Sequence, residues 1–187
     1  MDPGHGDWDD GATGISGSLE KNVNLGVSLK LGKLLQDAGF NVVYTRDSDN
    51  VSLSDKEMEN LLERVDISKK YSADIFISIH CNTTDESQSY KGIETWYNPK
   101  DDTNEILANY IQDELSSLEY SEDRGIKSDS ELIVLEKNDI PSILVELGFL
   151  SNSSDEQFLK SSSGQAQCAE AIFNGIKNAS EVIYPSN

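Results

Sequence analysis

The run ADIFISIH at residues 73–80 is apolar almost without a break. A half-exposed strand alternates apolar and polar residues. A continuous run suits a strand buried on both faces, which requires a sheet with a layer packed on either side. The flanking segments can supply those layers. SLEKNVNLGVSLKLGKLLQDA (18–38) carries Leu19, Val23, Val27, Leu31, Leu34 and Leu35 at three-to-four spacing. It predicts a helix that Ser18 caps and Gly39 ends. FNVVYTR (40–46) predicts a strand, and residues 54–70 a helix capped by Ser54 with Met58, Leu61, Leu62 and Val65 along one face. GIETWYN (92–98) predicts another strand, and residues 103–118 a helix striped by Ile106, Leu107, Tyr110, Ile111 and Leu115. LIVLE (132–136) and SILVEL (142–147) predict strands, and residues 153–160 and 164–181 helices. Such alternation predicts an α/β three-layer sandwich, with a mixed, mostly parallel sheet of about five or six strands flanked by helices.

The chain has 187 residues, enough for a single domain with one core, and shows no internal repeat or linker. Its 15 basic against 34 acidic residues give a net charge of −19. That balance argues against nucleic acid or an anionic membrane as partner, since phosphates are bound by lysine and arginine. No stretch approaches the ~20 apolar residues of a membrane-spanning helix, and no basic-then-apolar leader opens the chain. Cys81 and Cys168 are too few for a disulfide scaffold and read as buried thiols.

In open α/β sheets, ligands collect at the carboxyl ends of the strands. His80 ends ADIFISIH, Glu146 lies near the end of SILVEL, and His5 follows the point where a first strand would end. Glu20 falls in the first turn of the first helix. His5 and His80 are the only histidines. Two histidines and a carboxylate make a catalytic zinc shell with one position left for water. Fifteen residues separate His5 from Glu20 and sixty separate Glu20 from His80. This spacing is not local, so the pattern by itself leaves open a metal site or two ordinary loop and strand-end histidines. Glu146 interrupts an apolar run, where a carboxylate is costly unless paired or functional, and burial there would raise its pKa toward that of a general base. Glu94 alternates with Ile93 as in a half-exposed strand. DPGHG lacks the spacing and lysine of a phosphate loop. Cys81 would point away from His80, across the sheet, which disfavours a cysteine–histidine pair.

DPGHG at 2–6, GxxEK at 17–21, TRDSD at 45–49, LLERVDISKKYSADIFISIHCN at 61–82, KGIETWY at 91–97 and ILVELGFLSN at 143–152 together resemble the zinc-dependent N-acetylmuramoyl-L-alanine amidases, the amidase-3 family of bacterial cell-wall hydrolases. The resemblance runs in order from residue 2 to about residue 176. It implies Zn²⁺ held by His5, Glu20 and His80, with Glu146 as the catalytic base. The implied substrate is peptidoglycan, cut between the lactyl group of N-acetylmuramic acid and the L-alanine of the stem peptide. The enzyme is expected to be extracellular, wall-associated and monomeric, and with no wall-binding repeat and a charge of −19, attachment to the wall is expected to come from another domain or protein. Asp2 reads first as part of a plain Asp-Pro turn, with fixing of the His5 tautomer as the alternative role; Arg64 is expected to pair with carboxylates near the site, and Glu94 to lie close by. Residues 1–187 are expected to be one catalytic domain. The family has an apolar strand leading into DPGHG, and only Met1 precedes it here, so that strand is expected to be truncated. A catalytically dead wall-binding module is disfavoured because all four chemical positions are filled. A peptidase cutting within the stem peptide is the remaining alternative.

Overall fold

A computed structural model describes residues 1–51 and 53–185. Five strands form one sheet: β1 (Asp2–Pro3), β2 (Phe76–Asn82), β3 (Ile93–Tyr97), β4 (Asp123–Ser128) and β5 (Ser142–Phe149), in the order β1-β2-β5-β3-β4. All neighbours are parallel except β3 and β5. The helices are α1 (Glu20–Asp37), α2 (Glu57–Lys70), α3 (Asp102–Ser116), α4 (Ile133–Glu136), α5 (Ser153–Leu159) and α6 (Ser162–Ile183). The expected three-layer α/β sandwich is therefore present.

Side-chain alternation divides the two faces of the sheet. Ile77, Ile79 and Cys81 of β2 and Ile143, Val145 and Leu147 of β5 join one core with Val23, Val27 and Leu31 of α1, Leu107 and Ile111 of α3, and Ile172 and Ile176 of α6. Phe76 and Leu144 turn the other way, onto Val65 of α2 and Val134 and Leu135 of α4. His80, Glu146 and Glu94 share the parity of this second, smaller core. At this end of the sheet, beyond α2 and α4, that face is left for polar groups.

Several sequence-based expectations need correction. Residues 40–46 form no strand. The Met1 ammonium donates to Val43 O and Thr45 N donates to Met1 O, so this segment lies beside β1 with one pair of bonds rather than a ladder. LIVLE is not a strand, because Asp129 Oδ1 accepts from Glu131 N and Leu132 N and turns the chain into the single helical turn α4. The strand at this point in the chain is β4, whose polar sequence DRGIKS hides it from a search for apolar runs. Neither predicted cap acts as one. α1 and α2 start after Leu19 and Lys56 without a side-chain cap, while Ser18 N donates to Glu156 Oε1 and Ser54 N to Glu63 Oε2. Met58 and Leu62 are exposed, and α2 instead buries Arg64, Val65 and Ser68.

The reason α2 buries an arginine is Asp2. Its Oδ1 accepts from Arg64 Nη1 at 2.7 Å and from Thr45 Oγ1 at 2.6 Å, and its Oδ2 accepts from Ser78 Oγ at 2.7 Å. One carboxylate thus ties β1 to α2, β2 and the 40–46 segment. Burial alone would raise its pKa, but the Arg64 guanidinium and the two hydroxyls override that and lower it to about 2. A depressed carboxyl pKa contributes stability above its unfolded value, and that contribution is lost as pH falls through the folded one. For Asp2 the contribution is about 2 kcal/mol at neutral pH, lost between about pH 4 and pH 2. Asp2→Asn is expected to cost about 3 kcal/mol at neutral pH, because it strands Arg64 without its counter-charge. Urea unfolding of both proteins at neutral pH and near pH 3 checks this. If both lost the same stability on acidification, Asp2 would not be the titrating group.

Candidate metal centre

Glu20 begins α1 with its carboxylate turned back toward the loop that precedes the helix. Oε2 accepts from Ala12 N at 2.8 Å, and Oε1 accepts from Cys81 N at 3.0 Å and Asn24 Nδ2 at 3.2 Å. The same Oε1 lies 3.1 Å from His5 Nε2 and 3.0 Å from His80 Nδ1. One donor atom from each of His5, Glu20 and His80 falls within 4.8 Å of the other two. The imidazole rings meet edge to face, with centroids 4.9 Å apart. The structure therefore brings together the three residues that the sequence singled out.

His5 is held in a costly conformation. Its φ is 60°, in the left-handed region, as is that of Asp7 at 54°. Non-glycine residues pay roughly 1 kcal/mol or more each for this and keep it only where the surroundings fix it. Two buried arginines do the fixing, through backbone oxygens. Arg64 donates to Pro3 O and His5 O, and Arg46 donates to Pro3 O, Gly4 O and Lys21 O. Gly4 is required by close approach: a Cβ there would come within 2.2 Å of the His80 ring. Farther along the loop, buried Glu156 accepts from Ser16 N, Ser16 Oγ and Ser18 N and so pins the loop to α5.

The alternative role of Asp2 at His5 is corrected here. Asp2 faces Arg64, and it is Asp9 that accepts from His5 Nδ1, at 2.7 Å. Arg64 does pair with a carboxylate, that of Asp2. Sequence reasoning did not single out Asp9, Arg46, Asn24 or Glu156. Asn24 had a signal, being an amide one turn beyond Glu20 on the buried side of α1.

The donors suit a metal ion. With Nδ1 donating to Asp9, the lone pair of His5 Nε2 faces Glu20 Oε1. Two imidazole nitrogens and a carboxylate oxygen converging on one point repel unless a cation lies among them, either ring protons or a single ion. Without the ion, protons fill the role. Burial would lower the His5 pKa, but Glu20 and Asp9 outweigh it and raise the value to about 9. Glu20, despite its burial, is held far below the usual carboxylate range by the two histidines. Cys81 stays outside this arrangement. It points into the α1 core, and burial, with Glu20 adding to it, keeps the group a thiol.

Glu146 lies beside His80 in the β2–β5 register. Its Oε2 is shut off from solvent and has no hydrogen-bond partner among the described residues. Burial, with the charges of Glu20 and Glu94 adding to it, raises its pKa to about 7 against the pull of His80 and His5. An unpartnered carboxylate of this kind is suited to move a proton near neutral pH. Glu94 stands opposite Glu146 on β3. It is only 2% exposed rather than half-exposed, because Arg124 and Lys127 pair with it.

The whole chain can also be compared with known proteins. The family model described as N-acetylmuramoyl-L-alanine amidase matches residues 1–178. The chain is 36% identical over 183 residues to the germination-specific N-acetylmuramoyl-L-alanine amidase of Bacillus subtilis, covering 94% of this chain and 76% of that protein. It is 37% identical over 177 residues to the amidase LytC of the same organism, again over 94% of this chain but only 34% of LytC. Among solved structures it is similar to the CwlD amidase of Clostridioides difficile in complex with the GerS lipoprotein, with a TM-score of 0.90 and 34% identity over 97% of this chain and 96% of that one.

The raised Glu146 pKa has a cost. A carboxyl whose folded pKa exceeds its unfolded value loses stability as pH rises between the two. From about 4.5 to about 7, that loss is about 2 kcal/mol once partial exposure is discounted. Metal-free Glu146→Gln is therefore expected to be about 2 kcal/mol more stable than the metal-free parent near pH 8, and no more stable near pH 4. Denaturant unfolding at the two pH values decides it. An equal gain at both would trace the effect to packing rather than charge.

Proposed function

The chain belongs to the N-acetylmuramoyl-L-alanine amidase family, and from that premise we propose that His5, Glu20 and His80 hold a catalytic Zn²⁺ while Glu146 carries the proton. The reaction is hydrolysis of the amide bond between N-acetylmuramic acid and L-alanine in peptidoglycan. The observation that carries the site assignment is the meeting of three donors from separate segments beside an unpartnered carboxylate one strand away. Zinc bound there would supply Lewis acidity to the scissile carbonyl and the attacking water. Glu146 takes the proton of that water and returns it to the leaving amine. Asp9 holds the His5 proton on Nδ1 and keeps Nε2 available as a ligand. Glu20 is kept ionised by its two imidazole neighbours and fixed by the Ala12 and Cys81 amides.

The substrate places the working site outside the cytoplasm, at the cell wall, and the domain acts as a monomer. No helix among the described residues is long and apolar enough to cross a membrane. Wall attachment comes from elsewhere. LytC extends well beyond the shared region, and CwlD was solved with a lipoprotein. A net charge of −19 gives this chain no electrostatic hold on anionic wall polymers.

Metal content and turnover on purified peptidoglycan test the roles. The parent protein should hold about one zinc per chain and release stem peptides with a free L-alanine amino terminus, as mass spectrometry would show. Glu146→Gln should keep the zinc and lose at least ~100-fold in rate, and His80→Ala should lose the zinc. Internally cut stem peptides would point to an endopeptidase, and a Glu146→Gln enzyme with near-normal turnover would remove Glu146 from the mechanism. In a sedimentation assay, Glu146→Gln protein should stay in the supernatant of purified walls at physiological salt. Co-pelleting of most of it would show that this domain carries its own wall-binding surface.

A further inference from the structure

β4 contains an irregularity that aims two cations at one spot. Ile93 on β3 stands opposite Asp123, but Thr95 stands opposite Ile126, so three steps along β4 match two along β3. The extra residue falls at Gly125, whose φ of 72° a side chain would resist. In a regular strand, residues 124 and 127 would face opposite sides of the sheet. The bulge brings both to the Glu94 side. Arg124 Nε donates to Glu94 Oε1, and Lys127 Nζ reaches the same oxygen at 2.8 Å. Trp96 Nε1 donates to Glu94 Oε2 at 3.2 Å.

Glu94 does not use up this cationic pair. Two positive charges on one carboxylate leave one over, and the side chains of Arg124 and Lys127 remain 28% and 32% exposed. Among the described residues, Arg124 uses only Nε, so Nη1 and Nη2 make no protein hydrogen bond. Its guanidinium carbon sits 5.9 Å from the centre of the Tyr90 ring and 5.3 Å from that of Phe149, so two aromatic rings flank the fork. Neither cation is bonded to Glu146, although Glu146 is the cross-strand neighbour of Glu94. The result is a planar, two-pronged donor with aromatic walls, next to the proposed proton carrier, on an otherwise acidic protein. Its geometry matches a carboxylate.

We propose that the free fork of Arg124, seconded by Lys127, receives a carboxylate on the peptide side of the scissile amide, so that the enzyme selects stem peptides whose acidic residues are not amidated. Glu94 is then a positioning residue that holds the fork at one strand's distance from Glu146. The proposal rests on the amidase reading above.

The test compares two soluble N-acetylmuramoyl peptides that are identical except that the acidic residues carry free carboxylates in one and carboxamides in the other. The zinc-loaded parent protein should favour the free acid by about tenfold in kcat/KM, chiefly through KM, as expected for a charge-assisted pair at a partly exposed site. In Arg124→Lys, which keeps a cation on Glu94 but removes the fork, the ratio should fall toward one, and thermal melting shows whether the variant is folded. A ratio near one in the parent, or a ratio that survives in Arg124→Lys, would overturn the proposal. The comparison within the parent needs no variant and stands even if Arg124→Lys fails to fold. A zinc-loaded parent that cleaves neither peptide nor whole peptidoglycan would instead remove the amidase reading and, with it, this proposal.

Discussion

The carboxylate of Glu20 is the contact on which the rest of the site depends. It is buried at the start of α1 and accepts from the Ala12 amide in the loop before it, from the Cys81 amide at the end of β2, and from Asn24 one turn along its own helix. It also faces both imidazoles. A carboxylate buried here without the two imidazoles would be neutralised by protonation. Here the two imidazoles hold it charged, and the amides fix it where it joins two segments sixty residues apart in the chain. The loop from His5 to Glu20 is long because it must leave the sheet, turn around Glu20 and enter α1 with both ends pointing at one place.

The sheet register then sets the order of the chemistry. His80, Glu146 and Glu94 stand side by side on β2, β5 and β3 and share one face, and β4 adds Arg124 and Lys127 beyond them. Read across the strands, the row runs from proposed metal ligand to unpaired carboxylate to paired carboxylate to cations. The two glutamates in the middle differ because of their neighbours. Glu94 has Arg124 and Lys127, which hold its pKa below the usual range despite its burial, whereas Glu146 has no partner among the described residues and is raised. Position on adjacent strands gives two identical side chains opposite tendencies.

Some of this was legible in the sequence for simple reasons. ADIFISIH and SILVEL announce buried strands by composition, and the spacing along 18–38 announces α1. His80 and Glu146 stand out as polar residues near the ends of apolar strands, Glu20 as a carboxylate in the first turn of α1, and His5 as the only other histidine. Other features were not legible because their causes lie far away in the chain. The burial of Glu94 depends on Arg124 and Lys127, 30 and 33 residues on. The polar edge strand β4 has no apolar pattern to find, and LIVLE carries strand-forming residues that Asp129 redirects into a helical turn. Asp2 looked like a partner for His5 because the two are close in sequence, but the side chain points to the other side, toward α2.

Arg46 and Arg64 hold the loop through the carbonyl oxygens of Pro3, Gly4, His5 and Lys21; their other bonds go to Ser48 O and, from Arg64, to the side chains of Asp2 and Asn60. Main-chain oxygens are the same whatever residue supplies them. The scaffold that presents position 5 thus grips the backbone there rather than the side chain, within the limit that the left-handed φ sets on what can stand in that place. At Glu20 the two, backbone hold and side-chain chemistry, cannot be separated, because the same carboxylate faces both imidazoles and accepts from the Ala12 amide of the loop.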